Sequence, residues 1–89
     1  MKIPKTLKIG GHIYKIKMVD SSELEGFVGG VHRFKDNLIK IDKDLADSQK
    51  ISCFFHELLH AINGNLSEQE TEFLAQALTQ ICIDNKLLT

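Results

Sequence analysis

Ile51-Ser52-Cys53-Phe54-Phe55-His56-Glu57-Leu58-Leu59-His60-Ala61-Ile62 is the stretch on which the reading of this chain turns. It has no Gly or Pro to interrupt a helix, and Ile51, Phe55, Leu58, Leu59 and Ile62 recur at the spacing of one apolar helical stripe. His56 and His60 are four apart, so on a helix they stand one turn above each other on a neighbouring face. The segment reads H-E-x-x-H. Two imidazoles in that arrangement can ligate one zinc ion, with Glu57 directed at the water on that metal as a general base. The bland alternative is a surface helix with two histidines and a solvated acid. The apolar setting argues against it.

Working outward, Asp44, Asp47 and Ser48 are candidate caps for a helix running to about Asn63, and Gly64 suits a left-handed terminus. Ser67 followed by Glu70 has the pattern of a capping box and opens a second helix to about Lys86. Leu74, Leu78, Ile81 and Cys82 are its expected inward stripe. The short connection makes the two helices an antiparallel hairpin.

Toward the N-terminus the period changes to two. Leu7 and Ile9 flank Lys8, Gly10-Gly11 is a two-residue hairpin signal, and Tyr14, Ile16 and Met18 alternate with Lys15 and Lys17. Asp20 to Gly26 reads as a loop. A third strand is expected from about Val31, a tight turn at Lys35-Asp36-Asn37, and a fourth strand at Leu38–Ile41. The expected fold is α+β: a short antiparallel sheet of three or four strands packed on an antiparallel helix pair that carries the H-E-x-x-H segment, in one domain spanning residues 1–89.

The chain has 89 residues, with 11 basic and 12 acidic side chains and a net charge of −1. A core this small gains from a metal. The near-neutral balance does not argue for nucleic acid. Lys2, Lys5, Lys8, Lys15 and Lys17 precede the first acid, and solvated lysines on strand faces explain them better than a polyanion site. No run reaches membrane-spanning length, and the first residues lack the apolar core of a signal peptide, so a cytoplasmic protein is expected. Cys53 and Cys82 read as buried free thiols. Cys53, three residues before His56, is near enough to approach a metal, but packing is the role expected of it.

A catalytic zinc site takes three protein ligands and keeps one position for water. No His follows His60, so the third ligand is a carboxylate of the second helix: Glu68, Glu70 or Glu72. In a hairpin turning near Gly64–Leu66, the level between His56 and His60 falls opposite about Glu72. Glu70 is engaged by the capping box, and Glu68 lies in the first turn, where the helix dipole alone favours an acid. The reading is therefore Glu72, with Glu70 as the alternative.

With these residues in view, the chain resembles the small gluzincin-like zinc peptidase domains of bacteriophage and prophage origin, distant relatives of the ImmA/IrrE-type metallopeptidases. The resemblance runs from the Leu7–Tyr14 hairpin through Gly29-Gly30 and Leu38–Asp42 to Leu66–Ala75 and Ile83-Asp84-Asn85. It is sharpest at Phe55–Ile62. Val31-His32 depart from the more acidic stretch expected there. The resemblance implies a sheet packed on the active-site helix and a glutamate of the next helix completing the zinc site, for which Glu72, just before Leu74-Ala75, is the best match. It also implies a peptide or protein substrate. In longer relatives that substrate is a repressor or regulator, chosen by other domains.

The expected function is a zinc-dependent metallopeptidase: His56, His60 and Glu72 on the metal, Glu57 as general base, and a substrate strand added to a free sheet edge. His32 is a candidate for stabilising the oxyanion. The alternative is a non-catalytic phage protein with a structural or vestigial metal site, closed by a fourth ligand such as Cys53, that acts by binding a protein partner.

Overall fold

A computed structural model describes residues 2–27, 29–33 and 35–87, without the side chains of residues 32 and 33. Among the described residues, four strands and two long helices follow one another: β1 (Thr6–Ile9), β2 (His12–Val19), β3 (Gly30–Arg33), β4 (Leu38–Asp42), α1 (Asp47–Ile62) and α2 (Glu68–Asp84). A single 3-10 turn, Ser21–Glu23, interrupts the connection from β2 to β3. The α+β class, with a sheet packed on a helix pair, is as the sequence implies.

The sheet runs in the order β1-β2-β4-β3. Ile9 pairs with His12 across Gly10-Gly11, and Gly10 takes the left-handed conformation (φ 60°) that lets the chain reverse in two residues. The β3–β4 pair is also antiparallel, Gly30 opposite Ile41 and His32 opposite Ile39. Between the two hairpins, however, β2 and β4 pair in parallel, Ile16 with Ile39 and Met18 with Ile41. An all-antiparallel sheet is therefore corrected to a mixed one. The reason lies in burial. Ile39 and Ile41 are 0% exposed, so β4 takes the central place, and glycine-led β3 is left at the edge.

Tyr14, Ile16, Ile39 and Ile41 face the helices and form the main core with Ile51, Phe54, Phe55 and Ala75. A second, smaller cluster of Val19, Leu24 and Val31 is sealed by the 3-10 turn. Lys40 Nζ donates to the Glu23 carbonyl (3.3 Å), and Lys43 pairs with Asp20 (3.1 Å), tying that turn to the sheet. Lys15 and Lys17 are exposed on β2, as solvated strand lysines should be.

α1 does not use the caps expected of Asp44, Asp47 or Ser48. Ala46 is the N-cap, and its N–H donates to Gln49 Oε1 (3.0 Å). At the other end Gly64 is not left-handed. Asn63 is extended (φ −146°) and its side chain accepts from Asn65 N–H (3.0 Å), closing the turn by an Asx bond. Ile62 lies past the core and is exposed, while Phe54 takes a core place beside Phe55.

α2 begins as expected. Ser67 Oγ accepts from Glu70 N–H (3.0 Å), and Glu70 Oε1 accepts from Ser67 N–H (2.9 Å). Those Ser67 groups, the backbone N–H first, hold the Glu70 carboxyl below the usual carboxylate range. The capping contribution is therefore complete above the unfolded carboxyl's pKa and is lost as pH falls through the depressed folded value. The inward face of α2 differs from expectation. Thr71, Ala75 and Thr79 are buried, with Leu78 and Cys82 partly so, whereas Leu74 and Ile81 are 37% and 43% exposed. The buried hydroxyls of Thr71 and Thr79 donate to the carbonyls of Ser67 and Ala75 in their own helix (both 2.7 Å), so no penalty attaches to them.

The strand–helix contact at β3 is close. A Cβ on Gly30 would meet the Lys40 carbonyl oxygen at 3.0 Å and Glu57 Cγ at 3.5 Å, and one on Gly29 would stand 2.9 Å from Cys53 Sγ. Gly29 also has φ 85°. Gly29→Ala is expected to cost about 1–3 kcal/mol in urea denaturation, from overpacking and backbone strain. Adding Cys53→Ala should recover the part due to the sulfur and leave a strain of about 1 kcal/mol. A Gly29→Ala protein as stable as wild type would contradict this packing.

Candidate metal centre

Helix α1 packs against α2 on one side and against β3 and β4 on another. The face of α1 bearing Cys53, His56, Glu57 and His60 opens onto a cavity of about 730 Å³. Gly29, Gly30 and Val31 form one wall of it, Glu68, Glu72 and Gln76 of α2 another, and Phe27 and Leu45 add apolar surface. The H-E-x-x-H segment, the edge strand and the start of α2 therefore meet at one place.

The two imidazoles lie with ring centroids 4.8 Å apart, nearly perpendicular (69°), on successive turns of α1. Both Nε2 atoms face the Glu68 carboxylate: His60 Nε2 is 2.7 Å from Oε1 and His56 Nε2 is 3.3 Å from Oε2. One ligand atom from each of His56, His60 and Glu68 lies within 4.8 Å of the others, so this group could hold a metal ion. Two nitrogens and one carboxylate oxygen are donors that suit a divalent transition metal.

Glu72 meets the site from the other side. Its Oε2 lies 2.9 Å from His56 Nδ1, and its Oε1 accepts from Gln76 Nε2 (2.7 Å). An ionised carboxylate only accepts, so a neutral His56 carries its proton on Nδ1 and presents a lone pair at Nε2. That lone pair faces a Glu68 oxygen, and two acceptors so placed are reconciled by a proton or a cation between them. The Glu68 placement is the feature that sequence reasoning passed over. It took the first-turn acid as a dipole effect, although the first turn of α2 returns directly over the last turns of α1. Glu70, the alternative third ligand, is held by Ser67.

Glu57 is 7% exposed, lines the cavity, and packs its stem beneath Gly30. It is thus held beside the donor group by the closeness of β3. His32 pairs through its backbone with Ile39, but its side chain lies outside the described residues, and so does its expected role. Cys53 and Cys82 are free, half-buried thiols, and Cys53 is not among the grouped donors. Burial, then the charges of Glu57, Glu72 and Asp42, push the Cys53 thiol up. It should stay protonated at neutral pH and alkylate more than about tenfold slower in the native than in the denatured protein, by mass spectrometry. Equal rates would place it outside this environment.

Edge strand β3 offers backbone groups to the same cavity. Asp42 N–H donates to the Gly29 carbonyl (2.8 Å). With the observed register, Val31 and Arg33 then bond to β4, and the N–H and C=O of Gly30 and His32 turn to the open edge.

Comparisons with protein-family models, curated proteins and solved structures give no match to this chain. No helix among the described residues is long and apolar enough to cross a membrane.

Proposed function

We propose that this chain is a minimal zinc-dependent metallopeptidase. The observation that carries the reading is the convergence of His56 Nε2 and His60 Nε2 on one Glu68 carboxylate, with buried Glu57 lining the same cavity. His56, His60 and Glu68 would hold the metal. Bound there, zinc supplies Lewis acidity toward a peptide carbonyl and a water acidified to near neutrality.

The chain's own residues supply the rest. Glu57 takes the proton from the attacking water and passes it to the departing amine. Glu72, itself held by Gln76, fixes the tautomer and orientation of His56, as outer carboxylates do for metal-ligating histidines. Gly30 and His32 receive an extended peptide as an added strand, main chain to main chain. Among the described residues, Cys53 stands outside the donor group, so it is not the fourth protein ligand that a structural site needs. Two free thiols suit a reducing, cytoplasmic setting.

The test is metal analysis of purified protein, with zinc titration of three variants. Glu68→Gln should lose more affinity than Glu72→Gln, whose loss should be the roughly ten- to hundredfold typical of an outer partner. Glu70→Gln should leave affinity unchanged. If Glu72→Gln proves the most damaging, Glu72 is the third ligand. Full zinc binding by all three variants would defeat the site.

A further inference from the structure

The side of α2 turned away from α1 carries exposed apolar side chains. Phe73 is 73% exposed, and Leu74 next to it and Ile81 two turns on are partly open to solvent. At 100° per residue, Phe73, Ala77 and Ile81 succeed one another along one face with Leu74 at its border, so they form a continuous strip. Glu70 and Asp84 lie on that same face, at the two ends of the strip. They are about 20 Å apart along the axis, or four turns.

Charge decides what can cover this strip. α2 carries Glu68, Glu70, Glu72 and Asp84 and no basic side chain. Packing α2 against α2 of a second copy sets Glu70 against Asp84 when antiparallel. It sets each acid against itself when parallel. Both arrangements place like charges at both ends of a small apolar contact, which opposes self-association. A segment with an apolar middle and basic residues at both ends fits instead.

We infer that the outer face of α2, Phe73-Leu74-Ala77-Ile81 between Glu70 and Asp84, docks a basic-ended amphipathic helix of a protein partner. The surface is separate from the donor group and does not depend on metal. The apolar strip would give the contact its affinity, and the flanking carboxylates its choice of partner.

Two synthetic helical peptides of about four turns test this. Both carry leucines along one face; one has lysines at both ends and its twin has glutamates. In an NMR titration of the whole chain at low ionic strength, the lysine-ended peptide should bind at least about tenfold more tightly. Its shifts should centre on the amides of Phe73, Ala77 and Ile81. Phe73→Ser, a change at an exposed position, should abolish binding without unfolding the chain. Glu70→Gln with Asp84→Asn should erase the preference between the twins. Equal binding of the twins by wild type, or no binding of either at millimolar peptide, overturns the proposal. So does a dimer in sedimentation that Phe73→Ser dissociates, because the strip would then belong to a second copy.

Discussion

His60→Ala is expected to remove zinc binding at micromolar metal and, with it, all stabilisation by zinc. In the wild-type chain the three donors belong to two helices, His56 and His60 to α1 and Glu68 to α2. An ion bound by that group would fasten one helix to the other. Ligand binding to the native state alone adds about 2.7 kcal/mol when free zinc is a hundredfold above its dissociation constant. Thermal melts of wild type should therefore rise with added zinc and fall back with a chelator, while those of His60→Ala should not move. The substitution trims a side chain that is largely enclosed but sits at the cavity wall, not in the main core, so the metal-free protein should still fold. A His60→Ala protein that binds zinc at full occupancy would remove His60 from the site.

The second large effect concerns Glu57. Glu57→Gln keeps the shape of the side chain, and hence its packing beneath Gly30, but an amide cannot take a proton from water. Zinc content should match wild type, since Glu57 is not among the grouped donors. Hydrolysis of unfolded casein or a mixed peptide library should fall by about 10²–10⁴-fold, the usual contribution of a positioned general base. A variant that keeps both metal and activity would take the base away from Glu57. A variant that loses metal would make Glu57 a ligand or a structural support instead.

The sequence spoke most clearly where a residue's role depends on near neighbours. The Gly10-Gly11 reversal, the Ser67/Glu70 box and the face of α1 that bears His56 and His60 are all local, and each stands where the pattern implies. What local pattern could not supply was the partner of each surface. Leu74 and Ile81 have the chemistry of core residues, but the buried face of α2 is made by Thr71, Ala75 and Thr79, whose smallness gives no hydrophobic signal. β4 was legible as a strand. That it runs parallel to β2 follows from where its two isoleucines find burial, a property of the whole sheet. The same holds for Glu68 and Glu72. The acids were in view, but which one meets Nε2 and which Nδ1 is set by the few degrees at which α2 leaves its turn.

The parallel pairing of β2 with β4 also bears on the order in which the molecule assembles. Each hairpin, and the pair of helices, joins segments adjacent in the chain, so closing them costs little chain entropy and takes microseconds or less. The β2–β4 pairing has no such short path. It joins two hairpins across the whole 20–29 connection, and it must do so in the register that buries Ile39 and Ile41. Within the sheet this is the pairing of highest contact order, and hence the natural barrier to closing it. The metal donors lie on the near side of that barrier, all within residues 56–68. If the proposed site holds, a nascent helical hairpin captures an ion before the sheet has closed, so metal added during refolding should speed the early phase and leave the rate of sheet closure nearly unchanged.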